Sequence, residues 1–394
     1  MAGQRSAALL VVHDGKLRLE RYGLGFDGLG RWTSFSVAKS FTSTLVGAAV
    51  KDGFIKSLDD KVSLYIPDLK GSAYDDVSVR QLLTMTSGVK WNEDYADPHS
   101  DVARFNNHQP EAGVEALVSY MRKLPREAPA GTRWLYSTGE TNLVGTLVQQ
   151  ATRKPLATYL SEKIWVPAGM KQQATWILSK TGKEIGGCCV QATPRDYARM
   201  GLFILNGAQV NGQSNVPDGW WAEATTKRTE IGLPGRGYGY QWWTYDDGSY
   251  TARGIFGQGI FIDPQRKLVI VSNANWAGGA RDPQATEARE NFYREVQKAI
   301  DDERTGPASG WVGKAIRRTG TRSRDAVSAV QAIARPQAQA LVVVAHCRIL
   351  RVRQRCFEPA VHRQADRDVG QRERRATHMG TRCIQLPIQN GHMP

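Results

Sequence analysis

A serine and a lysine three positions apart supply the first candidate chemistry. Ser36 and Lys39 form an S-x-x-K pattern, which places both side chains on one helical face. Burial or a neighbouring cation lowers a lysine pKa until the amine can accept the serine proton. On the spacing alone, a plain N-cap serine is the favoured interpretation. The same spacing at Ser87 and Lys90 is set aside, because Gly88 follows as helix-ending punctuation.

A tyrosine and a glycine-rich strand extend this pattern. Tyr136 lies just before a predicted helix and could relay a proton if Lys39 lowers its pKa; the alternative is a turn tyrosine with a satisfied hydroxyl. The run 250–259 lies on a predicted strand whose glycines permit close backbone approach, so it could offer an N–H to an oxyanion. A literal Lys-Thr-Gly at 180–182 has polar surroundings and is interpreted as a decoy. Since no G-x-S-x-G is present, a Ser-His-Asp hydrolase is poorly supported.

These residues need helices and strands to position them. Apolar residues in 36–52 recur near a 3.6-residue period, which predicts a helix that ends at Gly53. The Asp14-Gly15 pair between two β-rich runs predicts a hairpin. Further helices are predicted at 79–85, 141–151, 156–164 and 193–205, and closing strands at 237–245, 250–255, 259–262 and 268–273. We therefore expect an α/β (α+β) fold, with an antiparallel sheet built from both ends of the body, flanking helices and a mostly helical subdomain.

Three blocks of sequence resemble the serine β-lactamases and penicillin-binding DD-peptidases. Ser36-Val-Ala-Lys39-Ser resembles their nucleophile helix, and segments 58–67 and 77–88 resemble the class C β-lactamase-like branch. Tyr136-Ser-Thr138 stands where that branch has Tyr-x-Asn. The resemblance covers about residues 7–299 and implies a β-lactamase/DD-peptidase-like fold.

Within that branch, segments 91–98 and 186–189 and the Gly257-Gln258 strand resemble the 6-aminohexanoate-dimer (nylon-oligomer) hydrolases. Those enzymes hydrolyse amides and short-chain esters through an acyl-serine. The resemblance implies that Ser36 is the nucleophile, Lys39 its base and Tyr136 the proton relay. It implies an oxyanion hole formed by the N–H groups of Ser36 and Ile255, and substrate binding by Tyr95, Arg253 and Gly254, with Tyr95 at the scissile amide.

Two departures from the family pattern bear on the substrate. Thr138 replaces the usual Asn, and Ala252-Arg253-Gly254 replaces Lys/His-Thr/Ser-Gly. Both weaken the case for a site that reads the carboxylate of a β-lactam or D-peptide. Successive strand residues point to opposite faces, so Arg253 is a poor substitute for the missing cation.

The positive charge divides the chain at about residue 303. The 394 residues carry a formal net charge of +14, of which 301–394 supply +9, with 16 arginines but only two aromatic residues. We predict a serine hydrolase domain at 1–303 and an Arg-rich tail at 304–394 that is disordered or non-native. The rival interpretations of the tail are a nucleic-acid-binding arm and a zinc module using Cys347, Cys356, His362 and Cys383.

The predicted function is hydrolysis of a small amide or ester, with no cofactor and no metal. The alternatives are a β-lactamase or D-alanyl-D-alanine peptidase and, in another class, a catalytically silent scaffold or nucleic-acid binding through the tail. A homodimer is compatible with the sequence, whereas nucleic-acid and membrane partners are not expected, because no apolar run reaches the ~20 residues of a membrane span. No signal peptide is visible, which predicts a cytoplasmic protein; a truncated start would allow a periplasmic one.

Overall fold

The computed structural model describes Met1 and residues 3–305 and 380–384. The chain opens with the predicted hairpin, in which β1 (Ser6–His13) pairs antiparallel with β2 (Lys16–Tyr22). Asp14 and Gly15 form the turn with φ of 49° and 73°, as a two-residue hairpin turn requires.

The remaining elements follow in chain order. The strands are β3 (Trp32–Thr33), β4 (Ala174–Ile177), β5 (Val190–Ala192), β6 (Gln209–Val210), β7 (Gln213–Ser214), β8 (Thr229–Glu230), β9 (Arg236–Tyr238), β10 (Trp243–Tyr245), β11 (Tyr250–Arg253), β12 (Gly259–Asp263), β13 (Leu268–Ala274) and β14 (Thr381–Ile384). The α-helices are α1 (Ala38–Lys51), α2 (Val62–Tyr65), α3 (Val79–Leu83), α4 (Asp101–Arg104), α5 (Ala116–Met121), α6 (Thr138–Thr152), α7 (Leu156–Leu160), α8 (Pro194–Leu205), α9 (Trp220–Ala224) and α10 (Pro283–Thr305). A 3₁₀ turn at Phe35–Val37 leads into α1.

One eight-stranded antiparallel sheet joins the two ends of the body. Its strand order is β2-β1-β13-β12-β11-β10-β9-β8, so the first hairpin lies beside the last strands of the body. The predicted α/β architecture, with a sheet built from both ends, flanking helices and a helical middle, is confirmed.

Two long helices cover the faces of this sheet. On one face α8 packs so closely that a Cβ added at Gly201 would lie 2.5 Å from Val269. On the other face Tyr293 and Ile300 of α10 are buried against strand residues such as Phe261 and Ile270. The sheet therefore has one face toward the helical middle and one toward α10, which determines where a strand side chain can point.

Local signals explain most helix boundaries. Ser78 and Gln81 form the capping box that begins α3, and the Thr193 side chain accepts from Asp196 N at the start of α8. Sequence patterns did not predict α10 or the sheet β14-β4-β5-β3. The strands of that sheet are two to four residues long, which is too short for a clear periodicity.

The described part of the predicted tail contains one strand. Residue 303 lies inside α10, which continues to Thr305, and Thr381–Ile384 of the predicted tail pairs as β14 with β4. The expectation of disorder and the zinc ligands other than Cys383 lie outside the described residues. Within the described ranges, no helix is long and apolar enough to cross a membrane.

Candidate active site

The structure brings Ser36 and Lys39 together at the start of α1. Ser36 lies in the 3₁₀ turn, and the Lys39 Nζ donates to its Oγ at 3.3 Å. The preceding residue, Phe35, has φ of 45°, a left-handed conformation that non-glycine residues rarely adopt. Such strained backbone often accompanies functional sites, because the surrounding fold must hold it in place.

Lys39 is buried and fully engaged. Its side chain is 1% exposed, and its Nζ also donates to Thr138 Oγ1 and to the Gly187 carbonyl, each at 2.9 Å. Burial lowers the pKa of Lys39 to about 8, and the negative charge of Glu93 opposes this change. A lysine with this pKa can exchange a proton near neutral pH.

Tyr136 lies over this pair. The Lys39 Nζ is 5.2 Å from the centre of the Tyr136 ring, and the ring stacks on Trp243 at a centroid distance of 5.6 Å. Burial, together with Glu93, raises the pKa of the Tyr136 phenol, whereas a hydrogen bond with Ser36 lowers it. The phenol is therefore kept in its neutral form, next to the Ser36 hydroxyl.

Glu93 is the functional candidate that the sequence analysis missed. Its Oε2 accepts from Thr138 N at 2.9 Å, and its Oε1 accepts from the Tyr95 hydroxyl at 2.8 Å and from the Thr138 hydroxyl. Thr138 is the first residue of α6, so this carboxylate lies at the positive end of a 15-residue helix. The sequence signal that could have identified Glu93 is its position two residues before Tyr95, a predicted substrate-binding residue.

The turn after β11 lies against the nucleophile segment. A Cβ added at Gly254 would be 2.7 Å from Ser34 O, and the rings of Phe35 and Phe256 meet edge to face at 4.9 Å. Among the described residues, neither Ser36 N nor Ile255 N donates a hydrogen bond. Two neighbouring segments therefore each carry a free N–H of the kind that an oxyanion hole needs.

Arg253 lies at the margin of this group, with its guanidinium 5.6 Å from the centre of the Trp243 ring, which stacks on Tyr136. Its guanidinium donates to Glu290 Oε1 at 2.6 Å and to the Tyr245 hydroxyl, on the α10 side of the sheet. The alternation of side chains along β11 explains this direction. Tyr95 remains at the site through its 3.3 Å contact with Thr138 Oγ1, while about half of its surface is exposed.

The two decoy motifs lie elsewhere. Ser87 donates to the buried carboxyl of Glu140, whereas Lys90 is exposed. Lys180 contacts the Asn107 side chain at 3.1 Å, in the connection between β4 and β5. Across residues 3–305 and 380–384, no group of three or more His, Cys, Asp and Glu side chains could hold a metal ion.

Comparisons with known proteins show which proteins this chain is similar to. A 6-aminohexanoate-dimer hydrolase of Paenarthrobacter ureafaciens is 30% identical over 288 residues, which are 68% of this chain and 72% of that protein. A solved structure of a candidate 6-aminohexanoate-dimer hydrolase from Bacillus anthracis has a TM-score of 0.68 at 25% identity and covers 76% of this chain and 81% of that one. An octameric penicillin-binding protein homologue from Pyrococcus abyssi, with a TM-score of 0.57 at 20% identity over 71% of each chain, shares the fold.

The match to a family model covers the whole site. It spans residues 1–293, under the description Beta-lactamase, and so includes the Ser36–Lys39 pair, Tyr136 and the turn after β11. The resemblance to the β-lactamases and to the 6-aminohexanoate-dimer hydrolases is confirmed. The chain belongs to the beta-lactamase family of hydrolases, with a 6-aminohexanoate-dimer hydrolase among its relatives.

Proposed function

We propose that the chain is a serine hydrolase that cleaves a small amide or ester through an acyl-Ser36 intermediate. The observation that carries this proposal is the buried Lys39 amine, 3.3 Å from the Ser36 hydroxyl and with its pKa lowered to about 8. A structural lysine would normally keep its charge at the surface, whereas a lysine base must be able to lose it.

Acylation begins when neutral Lys39 takes the proton of the Ser36 hydroxyl. The Ser36 Oγ attacks the substrate carbonyl carbon, and the Ser36 and Ile255 N–H groups stabilise the oxyanion that forms. Tyr136 passes a proton to the leaving amine or alcohol and regains it from the Lys39 ammonium. The carbon–nitrogen or carbon–oxygen bond then breaks, leaving the acyl group on Ser36.

Deacylation reverses these roles. Tyr136 and Lys39 together take a proton from a water molecule, which attacks the acyl carbon. The Ser36 Oγ leaves and recovers its hydrogen, so the enzyme returns to its starting protonation state.

The surroundings of the site favour a substrate without a carboxylate beside the scissile bond. The Arg253 guanidinium is engaged by Glu290 and Tyr245, and the groups that meet near Ser36 are largely aromatic: Phe35, Tyr95, Tyr136, Trp243 and Phe256. Such walls suit an uncharged acyl chain better than a β-lactam or D-peptide carboxylate. The similarity to a protein named for the 6-aminohexanoate dimer supports a linear amide.

Intact-mass analysis tests this function directly. The protein is mixed with a panel of p-nitrophenyl esters, a 6-aminohexanoate dimer and penicillin, and its mass is followed with time alongside Ser36→Ala and Lys39→Arg. We expect a transient acyl adduct with an ester or the amide, no adduct and no turnover for Ser36→Ala, and at least a hundredfold slower acylation for Lys39→Arg, because arginine cannot act as a base.

Three results would contradict the proposal. Near-normal hydrolysis by Ser36→Ala would remove Ser36 as nucleophile. Fast acylation by penicillin alone would favour a β-lactamase or DD-peptidase. No adduct with any compound, together with salt-dependent RNA binding that is lost on deleting 304–394, would favour the nucleic-acid-binding alternative.

A further inference from the structure

Four hydrogen-bond donors converge on the carboxylate of Glu93. Trp91 Nε1 and Thr138 N donate to Oε2, and the hydroxyls of Tyr95 and Thr138 donate to Oε1. Each oxygen therefore accepts two hydrogen bonds, which suits an ionised carboxylate and leaves no position for a carboxyl proton. This fourfold contact holds the Glu93 carboxylate in one rotamer.

Thr138 connects this carboxylate to Lys39. Because the Thr138 hydroxyl donates its only hydrogen to Glu93 Oε1, its lone pairs are left to accept from Lys39 Nζ at 2.9 Å. The result is a chain from ammonium to hydroxyl to carboxylate, in which both charges keep their hydrogen bonds. The side chain at position 138 is 4% exposed, so water does not replace this link easily.

The other groups around Lys39 are neutral. They are the Ser36 hydroxyl, the Gly187 carbonyl, the Tyr136 ring and, beyond Thr138, the Tyr95 phenol. Glu93 is the charged group whose field acts on Lys39, and it works against the effect of burial. One carboxylate thus opposes burial in the balance between the two protonation states of the lysine.

We propose that Glu93 is a positioning residue that acts through the Thr138 hydroxyl to set the pH at which Lys39 becomes a base. This inference rests on the proposed function. It assigns a role to Thr138 at the position where relatives of the class C-like branch carry Asn, and a role to Glu93, which does not contact the reacting atoms.

The proton balance of acylation shows what Glu93 contributes. The proton that leaves Ser36 converts the Lys39 amine to an ammonium, while the electron pair of the oxygen forms the bond to carbon. Glu93 gains and loses no proton; its negative charge stabilises the ammonium during the same step in which the oxyanion develops. The cost is that Lys39 is held protonated at neutral pH, when it must be neutral to start the reaction.

The test compares pH profiles of kcat/KM for a p-nitrophenyl ester. The variants are Glu93→Gln, Thr138→Val and Thr138→Ser, with Glu111→Gln as a carboxylate control on the surface. Wild type is expected to lose activity below about pH 8, where Lys39 gains its proton. Removing the carboxylate charge or the bridging hydroxyl should lower the pH at which half of the activity is lost (the midpoint) by about one pH unit or more. Thr138→Ser and Glu111→Gln should leave it in place.

A merely structural role would give another result, since a misplaced lysine lowers the rate at every pH without moving the midpoint. Unmoved midpoints in both Glu93→Gln and Thr138→Val, or midpoints moved upward, would overturn the proposal. Thr138→Val retains the shape of the side chain. It can therefore test the proposal if the Glu93→Gln variant does not fold.

A second measurement separates this inference from the proposed function. The ¹³Cε resonance of Lys39, identified as the signal absent from Lys39→Arg, is titrated in protein with labelled lysine. We expect a midpoint at lower pH in both Glu93→Gln and Thr138→Val than in wild type. If Ser36 is never acylated, the proposed function fails, yet this titration still decides the role of Glu93; equal midpoints in all proteins would refute it.

Discussion

A buried lysine and a buried glutamate illustrate how burial acts on single residues of this fold. Burial disfavours the charged form of either group, so it lowers the pKa of Lys39 and raises that of Glu140, in both cases to about 8. Lys39 lies beside Ser36 and Tyr136, where an exchangeable proton is useful. Glu140 lies in the first turn of α6 and accepts from Ser87, away from the nucleophile.

Glu140 predicts a pH dependence of stability. An unfolded glutamate has a pKa of about 4.3, so between that pH and about 8 the unfolded chain has lost a proton that the folded chain retains. The free energy of unfolding must then fall as pH rises through this window, and level off above pH 8. Glu140→Gln cannot ionise, so its Tm should fall less between pH 5 and 8 than the wild-type Tm.

Thermal unfolding by circular dichroism at several pH values measures this difference. Glu111→Gln is the matched control, because the Glu111 side chain is 40% exposed and its neighbour Lys123 lowers its pKa, which confines its effect to acidic pH. If the Tm of wild type and the Tm of Glu140→Gln change equally with pH, Glu140 does not cause the pH dependence of stability.

At the scale of elements, the turn between β11 and β12 is held against the segment before α1. Gly254 N donates to Gln258 O at 2.8 Å, and the Gln258 side chain accepts from Phe256 N and donates to Ala274 O. These bonds occupy the turn without using Ile255 N. A rigid turn with one unused N–H is what the proposed oxyanion hole requires.

Gly254→Ala should disturb this contact. The new Cβ would lie 2.7 Å from the backbone oxygen of Ser34, which cannot rotate away, so the turn must move from the nucleophile. We expect a loss of about 1–3 kcal/mol of stability and at least tenfold lower kcat, measured by thermal unfolding and ester hydrolysis.

Gly3→Ala is its control, because a Cβ there has no atom within 4 Å. Equal kcat values for the two variants would mean that the turn does not take part in the reaction.

The sequence predicted the elements whose signals are local. The Asp14-Gly15 turn, the Ser78 and Thr193 caps and the S-x-x-K spacing each depend on residues within one turn, and all were located to within a few residues. The long predicted strand 237–245 is instead two strands, β9 and β10, because the chain reverses at 239–242. Gly239 lies there, with an added Cβ only 2.1 Å from Ala224 O.

Contacts between distant segments could not be predicted in this way. Glu93 approaches Thr138 across 45 positions, and the Gly187 carbonyl reaches Lys39 across 148. The sequence around Glu93 and Gly187 does not indicate which distant residue each of them contacts. Only the packing of α1, α6 and the 186–189 segment brings these polar atoms together, and a Cβ at Gly187 would already lie 2.9 Å from Thr138 O.

At the scale of the whole molecule, a distant part of the sequence completes a sheet of the body. Ile384 of β14 is fully buried, and Arg382 donates to Glu184 Oε1 at 2.8 Å. The Glu184 side chain is 0% exposed, whereas that of Arg382 is 37% exposed. A buried carboxylate without its cation is costly, so this pair links the tail to the body energetically.

Arg382→Ala should therefore lower the Tm, with a loss of about 1 kcal/mol or more in the free energy of unfolding. Arg18→Ala is the control, since its partner Glu303 is 57% exposed and such pairs contribute little. Thermal unfolding measures the Tm of both variants, and denaturant unfolding measures their free energy of unfolding. Equal losses would indicate that β14 adds no stability through this pair.

The position of β14 also has a consequence for self-association. β14 occupies the outer side of β4, whose N–H and C=O groups at Ala174–Ile177 would otherwise be an open sheet edge. Open edges recruit strands from other chains and promote aggregation. We expect forms of this protein that are cut before residue 380 to aggregate through the exposed edge of β4. In the full chain, β14 covers that edge.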